Sequence, residues 1–509
     1  MIKKKLPIGV QDFRVLREEN SLYVDKTELI HQLISEANYY FLSRPRRFGK
    51  SLLLSTLKEI FQGSKDLFAG LWIENNWDWT KQNPVVHISF AAAGFREMGL
   101  TKAIESLIDF QARFHKVSLK SEGIANRFKE LLEILNEKHG KVVVLIDEYD
   151  KPIVDYIDPY DLTKTSERRD ILKQFFSILK DASKYIRFLF ITGVSKFSKV
   201  SIFSDLNHLV DLTLDPNFAA LCGYTQDELE HYFKPFIESM PVETLEKMKI
   251  WYNGYSWNAK TFVYNPFSVL KFFGTKQYRN YWFETGTPTF LVRLLRKKFE
   301  YKLEETIVSD LILESFTLEK FDDLDINSLL LQTGYLTIKN ITPHGKFVLN
   351  YPNKEVKNAF GQFLLSQYTN TPVTNPYGAE ILEALDKQDV GRVVEIISSL
   401  IQAVPDQNYV KNEEKFFHAI VHLIFTMVGS DVRSEVHTPI GRIDSVVVTA
   451  THIFLFEFKI NETAEMAIQC IKDKHYAESL RHLGKQIIGV GVTFSAKTKG
   501  VADWKEEEL

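Results

Sequence analysis

The segment Ser43–Ser51, with the sequence SRPRRFGKS, runs directly into the apolar stretch LLLSTLKEIF at 52–61. A β-rich run, NYYFLS at 38–43, comes before it. Strand, loop and helix in this order bring backbone N–H groups to a helix N-terminus, where the helix dipole favours an anion. The segment therefore predicts a phosphate-binding loop that opens a helix.

The end of this segment has the residues that such a loop needs, and its start does not. Gly49 allows close approach of the backbone, Lys50 can reach outer phosphates, and Ser51 can offer a hydroxyl to Mg²⁺. The motif G-x-x-x-x-G-K-[ST] has its first glycine five residues before Gly49, where this chain has Arg44. We expect Arg44 and Arg46 to contact phosphate or a neighbouring acid. Taken alone, the segment is also compatible with a basic surface loop that matches by chance.

A second apolar run, KVVVLIDEYD at 141–150, contains two adjacent acids at the end of its strand, Asp147 and Glu148. The pattern is typical of a Walker B element, in which the first carboxylate holds Mg²⁺ and its neighbour activates the attacking water. The alternative is a simple strand-end turn. The run and the loop together predict a site for a nucleoside triphosphate.

A third apolar run, IRFLFITGVS at 186–195, supplies two hydroxyls near its end, those of Thr192 and Ser195. Ser195 is our candidate contact to the γ-phosphate, although capping of the strand end explains such residues equally well. Apolar runs that alternate with helical patterns indicate an α/β fold with a parallel sheet covered on both faces.

Composition narrows the class of protein. The chain has 509 residues, which predicts two or three domains, and its 45% hydrophobic and 25% charged residues are typical of a globular protein. A net charge of −3 means that nucleic-acid binding would depend on local basic patches. Two cysteines give no zinc-ligand spacing and fit a reducing compartment. No run reaches the ~18 apolar residues of a membrane span, so we expect a cytoplasmic protein.

Changes in pattern along the chain predict three domains. Residues 1–220 form a P-loop ATPase core, 221–370 a helical lid with a small β element, and 371–509 a second α/β domain. Within the lid, 333–352 reads as a hairpin. The Pro-rich stretch NTPVTNPYG at 370–378 is typical of a linker.

A group of charged residues interrupts the apolar strands of the tail. Asp444 begins one run, and Glu457 and Lys459 end the next, in IFLFEFKI. Residues i and i+2 of a strand share a face, and a hairpin through 449–452 would bring Asp444 near Glu457. Two carboxylates and an ammonium are the minimum for binding Mg²⁺ and orienting water against a phosphodiester. Three charges on an exposed strand face are the simpler alternative.

Five segments together resemble one family: LPIGVQDF, YVDKTELI, RPRRFGKSLLLSTL, LIDEYDKPI and FITGVSKFSKVSIFS. They are similar to the bacterial and archaeal AAA-ATPase-like proteins coupled to a PD-(D/E)XK nuclease-like domain. That family also carries R-P-R-R-F-G-K-S, so the resemblance implies that Arg44 is a family variant. It implies ATP and Mg²⁺ as cofactors.

The tail resembles the PD-(D/E)XK restriction-endonuclease-like α/β fold, with helix, strand, strand, helix and strand in order. The resemblance implies metal ligands at Asp444 and Glu457, and a water-positioning role for Lys459. It implies an auxiliary acid at Glu414 and a helical polar residue at Gln469. The helical spacing also places Gln469, Lys472 and Tyr476 on one face of the helix. His418 either joins the site or is a core histidine. No proline precedes the first aspartate, a departure from the usual pattern.

These features lead to one main hypothesis and two alternatives. The main hypothesis is a protein that binds and hydrolyses ATP and has a Mg²⁺-dependent nuclease domain that acts on DNA. We also expect that it could form homo-oligomers. The first alternative is a regulatory or defence-type NTPase switch whose nuclease-like domain binds nucleic acid or protein without cutting. The second is a scaffold with two inactive sites, which the intact charged residues disfavour.

Overall fold

The computed structural model describes residues 4–92, 94–156, 163–196, 202–203, 206, 208–283, 306–308, 326–369, 377–405, 414–426, 431–438, 441–495 and 499–509. The chain forms two compact units, Met1–Asn353 (unit 1) and Lys354–Leu509 (unit 2). The division between the two units falls after Asn353, whereas the sequence predicted a domain boundary after residue 370. The division into three domains remains a prediction. The predicted linker lies mostly in 370–376, outside the described residues.

A parallel five-stranded sheet forms the centre of unit 1, in the order β2-β3-β4-β1-β5. Its third strand, VVVLID, is buried along its whole length because helices cover both faces, as the apolar runs predicted. The register pairs Ser43 with Gly193 and Ser89 with Asp147, so the carboxyl ends of the strands meet at one edge. The strands are β1 (Tyr39–Ser43), β2 (Val85–Ser89), β3 (Val142–Asp147), β4 (Ile186–Gly193) and β5 (Val210–Asp211).

The helices around this sheet have apolar faces and glycine boundaries. The helix Leu100–Phe114 buries Leu100, Ile104 and Ile108, which are spaced to lie on one face of a helix. The next helix, Ile124–His139, lies between Gly123 and Gly140. The helices are α1 (Phe13–Glu18), α2 (Thr27–Glu36), α3 (Lys50–Phe61), α4 (Phe95–Met98), α5 (Leu100–Phe114), α6 (Ile124–His139), α7 (Lys151–Val154) and α8 (Thr163–Asp181).

The described part of unit 1 beyond β5 contains helices and a small antiparallel sheet, as the sequence predicted. The hairpin predicted within 333–352 is confirmed by the pairing of β7 with β8. Asn265 caps one helix by accepting from the N–H groups of Phe267 and Ser268. The elements are α9 (Gln226–Tyr232), α10 (Lys234–Ile237), α11 (Thr244–Tyr252), α12 (Pro266–Thr275), β6 (Thr306–Val308), α13 (Ile326–Thr333), β7 (Thr337–Ile341) and β8 (Phe347–Asn350).

Unit 2 has a mixed sheet in the order β13-β12-β11-β10-β9, with β11 and β12 parallel and the other pairs antiparallel. Buried side chains from its strands and helices form two hydrophobic clusters, a larger one that includes α14 to α17 and a smaller one that includes α18. The elements are α14 (Lys354–Thr369), α15 (Tyr377–Asp386), α16 (Val390–Gln402), α17 (Glu414–Thr426), β9 (Asp431–Thr438), β10 (Gly441–Val448), β11 (His452–Ile460), α18 (Ala464–Asp473), β12 (Gln486–Ser495) and β13 (Gly500–Glu508).

The predicted helix, two strands, helix and strand occur in this order as α17, β10, β11, α18 and β12, and the structure adds β9 before β10 and β13 at the end. The helical face on which the spacing placed Gln469, Lys472 and Tyr476 is interrupted: α18 ends at Asp473, and a 3-10 helix follows at Glu478–Leu483. His475, with a φ of 49°, is in the left-handed region that interrupts a right-handed helix. Within the described ranges, no helix has the length and apolar character needed to cross a membrane.

Two candidate active sites

The phosphate-loop candidate lies between β1 and α3. Gly49 caps α3 with a φ of 89°, a conformation that favours glycine. The buried Lys50 ammonium donates to the carbonyl oxygens of Arg44 and Pro45, at 2.8 and 2.9 Å. Burial lowers the pKa of Lys50, and the Asp147 carboxylate opposes that shift. The lysine is therefore held inside the curve of the loop by weak neutral acceptors, which a phosphate could replace.

The end of β3 connects this loop to β4 through one buried carboxylate. Asp147 accepts from the Ser51 hydroxyl at 2.6 Å through Oδ2 and from the Thr192 hydroxyl at 2.6 Å through Oδ1. Glu148 follows with a φ of 54°, strained for a residue with a side chain, and its carboxylate lies 3.7 Å from the Lys151 ammonium. The structure thus brings together the predicted pair of hydroxyl and acid.

Ser195 and Thr192 have different environments. The Ser195 hydroxyl and N–H donate to Asp150, at 2.8 and 2.7 Å, and the Val194 N–H also donates to this carboxylate. Asp150 is buried, which raises the pKa of its carboxyl. Ser195 therefore joins β4 to the start of α7, whereas Thr192 is the hydroxyl that contacts the predicted magnesium ligand.

Arg44 has a structural environment that the motif did not predict. Its side chain is fully buried and donates to the carbonyl oxygens of Ser43 and Thr213, at 2.9 and 2.8 Å. The guanidinium lies 3.9 Å from the ring centre of Trp257. Burial lowers the pKa of Arg44 to about 10. Arg44 is not among the residues lining the adjoining cavity, although Arg46 is.

That cavity has a volume of about 370 Å³ and a lining of both polar and apolar residues. Gly49, Lys50 and Ser51 line it. Apolar side chains from the N-terminal segment and from α12 also line it, among them Val10, Tyr23, Phe267 and Leu270. Charged side chains complete the lining, including Lys26, Arg46, Arg47, Glu148 and Lys151. Cationic and apolar side chains in one cavity suit a ligand that has both phosphates and an aromatic base.

The second candidate site lies at the paired ends of β10 and β11 in unit 2. The register Ser445 with Phe456 confirms the hairpin that brings Asp444 near Glu457. Asp444 accepts from the Phe458 N–H at 2.8 Å, and His418 lies 3.6 Å from the same carboxylate oxygen. This histidine therefore lies beside the carboxylate pair.

Glu457 is the most buried charged group of this site. It is 2% exposed, and Oε1 accepts from the Lys459 ammonium at 3.2 Å and the Cys470 thiol at 3.0 Å. Lys474 lies 3.7 Å from the same oxygen. The other oxygen, Oε2, is buried without a hydrogen-bond partner among the described residues. A buried carboxylate oxygen without a donor is unfavourable, so the site suits an additional cation.

Two other predicted members of the site, Gln469 and Lys472, make their contacts away from the carboxylate pair. The Gln469 amide donates to Asp473 at 2.7 Å, and the Lys472 ammonium to Glu507 at 2.6 Å, both on the exposed surface. Tyr476 is buried just beyond the end of α18 and lies beside Lys474, near Glu457. Glu414 is the first residue of α17, and its side chain lies outside the described residues.

Sequence reasoning missed Cys470 and Lys474, which lie one turn apart on the face of α18 that meets Glu457. The close approach of α18 to β12 allows this contact. Gly491 on β12 pairs with Glu457, and a Cβ on Gly491 would lie 2.5 Å from the carbonyl oxygen of Ala464 on α18. Period-3.6 spacing could have grouped the two residues, but it could not show which face of the helix meets the sheet.

Comparisons with known proteins agree with both halves of this architecture. A family model described as a predicted AAA-ATPase matches residues 7–203, and one described as the PD-(D/E)XK nuclease superfamily matches 412–504. The chain is 39% identical to the "Uncharacterized protein in vnfD 5'region" of Azotobacter chroococcum mcd 1, over 100% of both chains. The chain belongs to the AAA-ATPase-like family with a PD-(D/E)XK domain.

A search of solved structures finds the Aeropyrum pernix ORC1 protein in complex with DNA, at 13% identity and a TM-score of 0.26. The match covers 69% of this chain and 91% of that one. The parallel sheet of unit 1 is the P-loop NTPase fold of the AAA-ATPase-like family, and unit 2 carries the PD-(D/E)XK-like fold.

Proposed function

We propose that unit 1 binds and hydrolyses ATP with Mg²⁺. The hydrogen-bonded chain Ser51–Asp147–Thr192 beside Lys50 is the observation that supports this proposal. A hydroxyl and a carboxylate 2.6 Å apart at the start of a phosphate loop match the way P-loop proteins hold Mg²⁺. The cavity that Lys50 and Ser51 line is the proposed place for the rest of the nucleotide.

In this proposal each polar residue has a separate task. Lys50 exchanges the loop carbonyls for phosphate oxygens, and the backbone N–H groups after Gly49 contact the same anion. Thr192 holds the Asp147 carboxylate in place. Glu148 orients and deprotonates the attacking water, and its ion pair with Lys151 sets its position. Bound Mg²⁺ would neutralise charge on the phosphates.

Thermal unfolding with and without ATP and Mg²⁺ tests the nucleotide site. The ligand should raise the Tm of the wild type by mass action and should not raise that of Lys50→Ala. Lys58→Ala is the matched control, because Lys58 lies on the same helix and is not among the cavity residues. Normal stabilisation of Lys50→Ala by ATP would refute the assignment. Glu148→Gln should bind ATP and lose turnover; normal turnover would assign the base elsewhere.

We also propose that unit 2 is a Mg²⁺-dependent DNA nuclease. The buried, unpartnered Oε2 of Glu457 is the observation that carries this half of the proposal. No group of three or more His, Cys, Asp or Glu side chains placed for a metal occurs among the described residues. Mg²⁺ fits nevertheless, since it commonly uses one or two carboxylates and keeps several waters.

In this proposal the two carboxylates bind the metal ion and the lysine positions the water. Asp444 and Glu457 would hold Mg²⁺, which would polarise the phosphodiester and activate water. The Phe458 N–H fixes the Asp444 carboxylate, so this ligand is oriented in advance. Lys459 would orient the water and balance the negative charge that develops on phosphate.

Incubation with plasmid, linear and single-stranded DNA, with Mg²⁺ or Mn²⁺ and with or without ATP, tests the nuclease. Wild-type protein should cut, and Glu457→Gln and Lys459→Ala should not. Glu465→Gln is the control, because Glu465 is an exposed residue of α18 that pairs with Lys505. Equal cutting by all four proteins would identify a contaminant. ATP binding with no cutting under any condition would favour the regulatory NTPase alternative.

A further inference from the structure

Two ammonium groups approach the same carboxylate of the nuclease candidate site. Lys459, from the E-x-K strand, lies 3.2 Å from Glu457 Oε1, and Lys474, from the end of α18, lies 3.7 Å from it. The two lysines reach Glu457 from different elements. The E-x-K pattern accounts for the first, and no feature of the sequence predicted the second.

Lys474 is not required as the counter-ion of Glu457. Oε1 already accepts two closer donors, Lys459 and Cys470. At 3.7 Å the Lys474 ammonium is beyond normal hydrogen-bond distance, and the side chain is 35% exposed. The ammonium also hydrogen-bonds to the Tyr476 and Cys470 side chains. Because an ammonium has three donors, one remains for an anion arriving from solvent.

An anion at this position needs such a donor. A phosphodiester that approaches Asp444 and Glu457 brings its negative oxygens next to two carboxylates, and like charges at this range repel. Lys459 is partly committed to Glu457 at hydrogen-bond distance. A second cation on the solvent side would lower the repulsion.

We propose that Lys474 binds the scissile phosphodiester of the nucleic-acid substrate. The proposal rests on the nuclease function proposed for unit 2. Lys474 contacts a non-bridging phosphate oxygen, while Lys459 orients the water, so the two lysines have separate roles. The helical break at His475 marks the end of α18, and Lys474 is its capping residue.

The chain offers a matched control two residues away. Lys472 lies on the same helix, is 39% exposed and pairs with Glu507 instead of Glu457. Lys472→Ala and Lys474→Ala therefore remove the same charge from one helix, at similar exposure. Lys474→Arg keeps the charge at the site.

The experiment uses the full chain and a short labelled DNA duplex, with Ca²⁺ in place of Mg²⁺ for binding and Mg²⁺ for cleavage. Affinity is measured over a series of salt concentrations, and the Tm of each variant is measured alongside. Lys474→Ala should flatten the slope of log K against log[salt] by about 0.9, the effect of one lost phosphate contact. Its cleavage rate should fall by about tenfold, the equivalent of one charge-assisted hydrogen bond.

The controls separate a phosphate contact from a structural role. Lys472→Ala should keep the wild-type slope and rate, and Lys474→Arg should recover the slope. If Lys474→Ala matches Lys472→Ala in slope and rate, or only lowers the Tm, the inference is wrong. A changed slope without cleavage by the wild type would retain the phosphate contact and reject the nuclease. No DNA binding by the wild type would reject both.

Discussion

At the scale of single residues, Arg44 explains why the phosphate loop needs no glycine at its start. The positive backbone angles of this loop occur at Arg47 and Gly49, with φ of 68° and 89°. The Arg44 N–H donates to the Gly193 carbonyl and continues the pairing of β1 with β4. A residue in this strand-like position has no need of the freedom that glycine provides. Its side chain has become part of the core.

Arg44→Gly should therefore harm the protein although it restores the motif. The change removes two charge-assisted hydrogen bonds and the contact with Trp257, and it leaves a cavity. We expect a loss of about 3 kcal/mol in the free energy of unfolding of unit 1. Urea denaturation measures this loss. A variant as stable as the wild type, with tighter ATP binding, would contradict our account of Arg44.

Lys339 gives a prediction about pH. Burial lowers the pKa of this lysine to about 8, and its ammonium donates to the Pro352 carbonyl. Between pH 8 and the unfolded value of 10.5 the unfolded chain binds a proton that the folded chain has lost, so stability rises with pH. Relative to Lys339→Met, the wild type should gain up to about 3 kcal/mol as pH rises through this window.

Denaturation of both proteins at pH 7 and pH 10 measures the difference. The methionine keeps most of the volume and does not titrate, so other groups cancel in the comparison. A difference in stability that stays constant across the window would show that Lys339 titrates normally in the folded protein.

At the scale of elements, the approach of α18 to β12 determines which side chains reach Glu457. Gly491 makes this approach possible, because a Cβ there would lie 2.5 Å from the Ala464 carbonyl oxygen and 2.9 Å from the Ala467 Cβ. The close atoms are backbone and a short side chain, which cannot move aside as a flexible side chain would.

Gly491→Ala should push α18 outward. We expect about 2 kcal/mol of destabilisation, typical of overpacking, and a larger distance between Glu457 and the helix. Gly489→Ala is the control, since a Cβ there would first meet the flexible Leu509 side chain at 3.1 Å. Chemical denaturation of the two variants tests the point. Equal stability of both would show that α18 does not depend on Gly491.

At the scale of the whole molecule, unit 2 contains its own core. The buried cluster runs from Leu365 on α14 to Phe494 on β12, and all of its members lie within 354–509. A fragment of residues 354–509 should therefore fold alone. Near-ultraviolet circular dichroism should show packed aromatic side chains, and urea should unfold the fragment in one cooperative transition.

A shorter fragment, 371–509, is the sharper comparison. It follows the boundary predicted from the sequence and lacks α14, which packs against α17. We expect it to be less stable, because Leu365 and its neighbours no longer cover the core. Equal stability of the two fragments would place α14 outside the folding unit and favour the boundary at 370.

The sequence allowed prediction of those parts of the sites that lie close together along the chain or follow from strand periodicity. The loop at Gly49 to Ser51 opens a helix, and Asp147 ends a buried strand, because apolar periodicity determines both. The pairing of Asp444 with Glu457 followed from a short hairpin and the period-2 rule. Such local patterns leave few alternative conformations.

What the sequence by itself determined is the order of strands and helices and the residue types at the strand ends, because these depend on apolar periodicity and backbone constraints. Tertiary structure alone decided that Arg44 packs on Trp257 and that Thr192, not Ser195, contacts Asp147. It also decided that Cys470 and Lys474 lie beside Glu457. These contacts join residues far apart in the chain, or select one of several helix faces. Close packing makes that selection, and single-residue patterns do not encode it.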